Sequence, residues 1–261
     1  MRRQPGDGVG LGIEGRVALV TGATRGLGLA VARKLCASGC DVYLNYGHVD
    51  EDAEWAVRSL EGLKGSASML RGDVRRPGAI AGLVETVVAE RGSLDVFVHN
   101  AASWHPMSSA EPVAADLHAD MAMALDPLLH GITALRAAMR EAGGRIVAVS
   151  SVGAQRVIPG YVSLGLAKAA LENLVRYLAA DLAAEGIAVN AVSTAKLDKA
   201  LSAKKSAPYD LPTALLAART PAGRLTVPSD VADVVALLCT DEAAWIRGQV
   251  LLVDGGLGLR V

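Results

Sequence analysis

No segment limits the fold as sharply as the junction RVALVTGATRGLG, Arg16 to Gly28. A short β-branched run reads as a buried strand, and three glycines (Gly22, Gly26, Gly28) break it. A helical pattern follows through Leu27, Val31 and Leu35 and closes at Gly39. A strand that enters a helix through such a turn lets the backbone approach a pyrophosphate closely, at the positive end of the helix. Gly22, Thr24, Arg25, Gly26, Leu27 and Gly28 are therefore candidates for dinucleotide binding.

The same alternation continues. DVYLNY (Asp41 to Tyr46), SASMLRGDV (Ser66 to Val74), DVFVHNAA (Asp95 to Ala102), GRIVAVS, AVNAVS (Ala188 to Ser193) and QVLLVDGG (Gln249 to Gly256) read as strands. Helical patterns lie between them: Asp50 to Leu63, Pro77 to Arg91, Pro112 to about Met139 with a break near Asp126-Pro127, Tyr161 to Ala184, and Ser229 to Cys239. Strands alternating with helices predict an α/β fold of one domain, with a seven-stranded, parallel, doubly wound sheet. Residues 1–14 read as a mobile tail ahead of a domain at 15–261; the loop-rich stretch from about 194 to 223 reads as a substrate lid.

Composition narrows the function classes. The chain has 261 residues, of which 26 are basic and 27 acidic, so no charged surface suits nucleic acid. Cys36, Cys40 and Cys239 form no metal-binding spacing and predict no metal site; a reducing, cytoplasmic setting is expected. The opening MRRQPGDGVGLG lacks the apolar stretch of a signal peptide, and no run of about 18 apolar residues predicts a membrane span.

Ligands of open α/β sheets bind outside the carboxyl ends of the strands. There Asn45-Tyr46-Gly47-His48 offers no carboxylate for a ribose 2′-hydroxyl, and Arg25 is placed to face a 2′-phosphate, so NADPH is favoured over NADH. Asp73 and Val74 end the third strand, where Asp73 is placed to accept from an adenine amine. Asn100 and Ala101 end the fourth; Asn100 reads as a tie between neighbouring strand ends. Trp104, His105 and Met107 follow and are expected along the substrate pocket, with His105 an ordinary loop residue rather than an acid. Ser151 closes the fifth strand, and Lys168 sits in an apolar helical stretch where a buried ammonium needs a partner such as the cofactor ribose.

TGATRGLG, GDV, HNAA, the Ser-Tyr-Lys segment from Ser150 to Lys168, VNAVS and GQVLLVDGG together resemble the short-chain dehydrogenase/reductase family. The resemblance covers nearly the whole chain after residue 15. It implies a Rossmann sheet and a homotetramer or homodimer. It also implies a centre in which Lys168 binds the ribose and lowers the tyrosine pKa, while Ser151 orients the substrate oxygen.

In most of that family the tyrosine lies four residues before the lysine; here that residue is Leu164, and Tyr161 lies seven before. Both positions fall on one helix face, about 4.5 Å apart along the axis. Pro159-Gly160 also permits a late helix start. The displacement suits a particular reaction. Hydride added to the β-carbon of an α,β-unsaturated thioester leaves charge on an oxygen two carbons away, and a donor must be aimed there. Tyr-x6-Lys and GYVSLGLAKAALENLVRYLA are similar to the third type of bacterial enoyl-acyl-carrier-protein reductase and to related enoyl-CoA reductases.

Four further residues depart from the family's pattern: Ala124 replaces a relay asparagine, Thr194-Ala195 a Pro-Gly pair, and Lys199 a threonine near the nicotinamide. The expected reaction is NADPH-dependent reduction of an enoyl thioester carried by coenzyme A or an acyl carrier protein. Tyr161, Lys168 and Ser151 would be catalytic, Trp104, Leu164 and Tyr161 would line the substrate, and Thr194 would lie at the cofactor. The alternatives are a ketone or imine reductase and a cofactor-binding homologue without catalysis. Lys196, Lys199, Lys204 and Lys205 read as a solvated face more readily than as phosphate contacts.

Overall fold

The computed structural model describes residues 11–139, 143–198 and 213–259. Its strands are β1 (Val17–Val20), β2 (Asp41–Tyr46), β3 (Ala67–Arg71), β4 (Val96–His99), β5 (Arg145–Ser151), β6 (Ala188–Thr194) and β7 (Val250–Val253). They form one sheet in the order β3-β2-β1-β4-β5-β6-β7. Every pairing is parallel. The order reverses between β1 and β4, so a crevice opens at their carboxyl ends.

The helices are α1 (Gly26–Ala37), α2 (Asp50–Arg58), α3 (Ala79–Arg91), α4 (Ala114–Met139), α5 (Val162–Asp181), α6 (Thr213–Arg219) and α7 (Pro228–Leu238). Two apolar clusters cover the two faces of the sheet. One joins Leu19, Phe97, Ile146 and Val189 to α3, α4 and α5; the other joins Val20, Leu44, Val98 and Val192 to α1 and α7. Parallel strands buried on both faces need such continuous apolar runs, and VALV in β1 is entirely buried.

Four sequence expectations change. Ile13 is fully buried and its carbonyl accepts from Cys40 Sγ, so the packed chain begins before position 15; residues 1–10 lie outside the described ones. The stretch expected as loop up to Gly223 contains α6, whose TALLAAR is made almost entirely of strong helix formers. Its neighbours 199–212, with Lys199, Lys204 and Lys205, lie outside the described residues. Helix α2 stops at Arg58, short of Leu63.

The break expected at Asp126-Pro127 is absent, for α4 runs through Pro127. Proline removes the N–H that Met123 would have bonded within the helix. The buried imidazole of His99, on β4, lies against that turn, with Nε2 3.0 Å from the Ala124 carbonyl. Burial and the nearby Lys168 charge push His99 down to about 3, so it is neutral and donates there as Nε2–H. A side chain from the sheet thus supports the helix where proline weakens it.

Candidate active site

The glycine turn is built as its sequence implies. Gly22 and Gly26 adopt φ of 61° and 55°, the left-handed region that glycine occupies without steric cost. A Cβ on Gly28 would stand 2.2 Å from the Gly22 carbonyl oxygen and 2.6 Å from Asn100 Nδ2, so only glycine fits. Asn100 Nδ2 donates to the carbonyls of Thr21 (2.9 Å) and Gly22 (3.0 Å), fixing the turn from the next strand. The N–H groups of Asn100 and Ala101 both reach Thr21 Oγ1 at 3.0 Å. Asn100 is a tie between strand ends, as expected.

Helix α1 begins with no side-chain cap and no acidic residue in its first turn. Its positive end faces a cleft of about 450 Å³, with no carboxylate in the first turn of the helix itself to neutralise it. Gly22, Thr24, Arg25, Gly26, Leu27, Gly28, Tyr46, Asn100 and Ala101 all line this cleft, and His48, Asp52 and Met123 join them. This cradle fits a dinucleotide: backbone donors for the phosphates, and glycine wherever the chain must be approached.

Several expected cofactor residues face elsewhere. Asn45 is 1% exposed, and its Nδ2 donates to the carbonyls of Leu70 and Gly72. It ties β2 to β3. Asp73 is bound by Arg75 through Nε, Nη2 and the backbone N–H; the guanidinium holds its carboxyl down to about 2. Val74 is buried in the core, and Leu164 packs there too with 7% exposure rather than forming an open pocket wall. Thr194 Oγ1 donates to the Val253 carbonyl at 3.0 Å, pairing the ends of β6 and β7.

Lys168 is buried in α5 and donates from Nζ to the Val149 carbonyl at 2.7 Å. Burial pushes the ammonium down to about 8, against the opposing attraction of Glu172. Glu172 is itself buried and accepts from Ser150 Oγ at 2.6 Å and Gln155 Nε2 at 3.3 Å.

Tyr161 immediately precedes α5, after Gly160 at φ 69°. The helix starts late, as Pro159-Gly160 suggests, so the phenol leaves the helix end instead of its side. The hydroxyl lies 3.2 Å from Ser151 Oγ. Its ring lies against Gly153, where a Cβ would meet two ring carbons at 2.5 Å. Trp104 packs on the other side, with ring centroids 5.6 Å apart, and its Nε1 reaches the Gly160 carbonyl at 3.4 Å.

The lysine does not lower the tyrosine as the family pattern implies. Burial pushes the Tyr161 phenol up, opposed by its bond to Ser151 and helped by the Asp120 charge. Tyr161 is thus a neutral hydroxyl donor at neutral pH.

Sequence reasoning passed over Asp120 altogether. It is buried in α4 and accepts from Ser103, Ser163 and both the backbone and ring of His105. The available signal was its place one turn before Ala124, on the face of α4 that meets the site.

Residues 22–258 match the family described as enoyl-(acyl carrier protein) reductase. The chain is 36% identical over 245 residues to 1-cyclohexenylcarbonyl-CoA reductase of Streptomyces collinus, covering 94% of this chain and 87% of the relative. It is 39% identical over 249 residues to cis-4-hydroxycyclohexanecarboxylate dehydrogenase of Sinomonas cyclohexanicum, covering 92% and 96%. Among solved structures, a blue fluorescent protein from a metagenomic library in complex with NADPH superposes with a TM-score of 0.83 at 29% identity, covering 94% of this chain and 99% of that one.

Proposed function

The chain belongs to the short-chain dehydrogenase/reductase family of oxidoreductases, and from that premise we propose that it reduces the carbon–carbon double bond of an enoyl thioester with NADPH. The observation that carries this reading is the Tyr161 hydroxyl. It stands on Ser151 while the buried Leu164 fills the position from which a ketone-reducing tyrosine would act. The relative named for an unsaturated coenzyme A thioester supports it.

The cleft residues Gly22 to Gly28 would hold the dinucleotide, and the nicotinamide would supply the hydride when bound. Tyr161 donates its hydrogen bond to the thioester oxygen as that oxygen becomes an enolate. A neutral phenol is the right form for this, because it must give a hydrogen bond and need not lose its proton outright. In the structure the phenol donates to Ser151 Oγ at 3.2 Å; with the thioester in place its single hydrogen turns to the thioester oxygen, and the Ser151 hydroxyl donates to the phenol oxygen and fixes its position. Lys168 lies two residues along the strand edge from Ser151, on the Val149 carbonyl, and from there would hold the ribose.

Arg25 at the mouth of the cleft favours a 2′-phosphate, and no carboxylate ends β2. Asp52 lines the same cleft from α2 and opposes a 2′-phosphate, so the preference rests on Arg25. The thioester would be carried by coenzyme A or an acyl carrier protein.

A rival reading, oxidoreduction of an alcohol–ketone pair, draws on the dehydrogenase relative. The deciding experiment follows NADPH oxidation by the purified protein with crotonyl-CoA, 1-cyclohexenylcarbonyl-CoA and a β-ketoacyl thioester. Turnover of the two enoyl substrates and not the ketone is expected. Turnover of the ketone alone would overturn the assignment.

A further inference from the structure

Asp120 is a buried carboxylate that binding the dinucleotide and holding the enolate oxygen leave unused. Its side chain has no exposure, a costly position for a charge unless donors surround it. Four do. Ser103 Oγ (2.7 Å) and His105 Nδ1 (2.8 Å) meet Oδ1, while the His105 backbone N–H (3.0 Å) and Ser163 Oγ (2.8 Å) meet Oδ2, the Ser163 hydrogen being shared with the His105 carbonyl at 2.8 Å. Burial pushes the carboxyl up, but these bonds outweigh it and hold Asp120 below the ordinary carboxylate range. It is ionised, and an ionised carboxylate only accepts.

Nδ1 of His105 must therefore carry the hydrogen, which leaves Nε2 as the atom that exchanges a proton. The ring is 41% exposed, so that exchange can reach solvent. Its location follows from its neighbours. Trp104 lies between the two loop residues that Asp120 holds, and it packs on Tyr161. Ser163, also on Asp120, is two residues beyond Tyr161. The hub holds His105 beside Trp104, which packs on the enolate donor Tyr161, and beside Ser163 of the helix that follows Tyr161.

Anchoring the loop does not require the imidazole. Ser103, Ser163 and the backbone N–H of residue 105 supply three of the four bonds, and the backbone bond would survive any side chain there. The reaction does require a second proton donor. Once hydride has formed the Cβ–H bond, Tyr161 stabilises the oxygen, and the α-carbon still needs a proton. Lys168 is buried against Val149, and Ala124 has no side chain to relay one.

We propose that His105 is the acid that protonates the α-carbon, with Asp120 as its positioning residue. This rests on the enoyl reading of Tyr161. In the step, the enolate electron pair forms the Cα–H bond and the thioester carbonyl is restored. The Nε2–H bond of the imidazolium breaks, and Nε2 is reprotonated from water. The substrate would gain one hydride, which carries both electrons, from a bound nicotinamide and one proton from His105.

The test compares wild type with His105→Ala on an enoyl thioester, with and without added imidazole. The variant should lose about 100-fold in kcat, with little change in KM or in NADPH binding by fluorescence. Added imidazole should restore part of the rate. His105→Gln, which keeps a donor toward Asp120 and cannot act as the acid, serves if the alanine variant does not fold; it should show the same loss. An unchanged kcat overturns the proposal, and so does a loss that imidazole leaves untouched and that comes with a lowered melting temperature. Wild type that reduces only ketones overturns the enoyl reading first, before any variant is made.

Discussion

Along the glycine-lined cleft the exposed groups are mostly backbone, held by bonds between adjacent strand ends; around Tyr161 they are side chains from the loops after β4 and β5 and from helices α4 and α5. Thr21, Gly22, Gly28 and Asn100 form the first region within a few residues of β1 and β4. Trp104, His105, Asp120, Gly153, Tyr161 and Ser163 form the second from four separate parts of the chain. Backbone geometry set by parallel pairing has few alternatives, so the first region is fixed by bonds between the ends of β1 and β4. The second is held by side-chain contacts that a few substitutions could rearrange.

If the two regions are separable in this way, substitutions should split their effects between chemistry and cofactor binding. The largest split is expected for Gly153→Ala. Its new methyl would meet the Tyr161 ring at 2.5 Å and displace the phenol. A shift of about 1 Å in a reacting group costs on the order of 100-fold in kcat. Titration of NADPH fluorescence should show unchanged affinity; a matching loss of cofactor binding would break the comparison.

Gly28→Ala should do the reverse. The methyl would overlap the Gly22 carbonyl at 2.2 Å. Overpacking of about 1–3 kcal/mol would weaken NADPH binding by roughly 10- to 100-fold. At saturating cofactor, kcat should recover most of its value in steady-state assays.

Asn100→Ala removes the amide that serves the Thr21 and Gly22 carbonyls. Leaving such acceptors unsatisfied costs about 1–3 kcal/mol, to be read as a lowered midpoint in urea. The KM for the thioester should stay unchanged.

The smallest effect is a pH signature of Lys168. Its pKa falls from 10.5 unfolded to about 8 folded. Between those values the unfolded chain binds more protons than the folded one, so stability rises with pH across that window and the penalty for burying the charge persists below it. Lys168→Met should flatten that rise in urea unfolding of the cofactor-free protein. A rise of equal size in the variant would mean that another group causes it.

The split also explains what could be read from the sequence. The seven-stranded sheet, the glycine turn, the tie made by Asn100 and the late start of α5 were all legible, because each follows from local pattern and backbone restriction. Asn45 and Thr194 were placed at the cofactor for their position at strand ends. Their side chains instead satisfy neighbouring backbone carbonyls, and which way a strand-end side chain turns depends on pairing partners distant in sequence. Asp120 was illegible for the same reason, since its meaning lies in Ser103, His105 and Ser163. The sequence around His105 reads as an ordinary loop because its partner Asp120 lies 15 residues further on, in α4.

The unusual tyrosine remains the centre of the account, and one comparison tests it most directly: Tyr161→Phe against wild type, on an enoyl thioester at saturating NADPH. Losing the single donor aimed at the developing enolate should lower kcat by about 100- to 1000-fold while NADPH affinity holds. An enoyl turnover that survives Tyr161→Phe unchanged would contradict the role assigned to that hydroxyl, and with it the reading of the site.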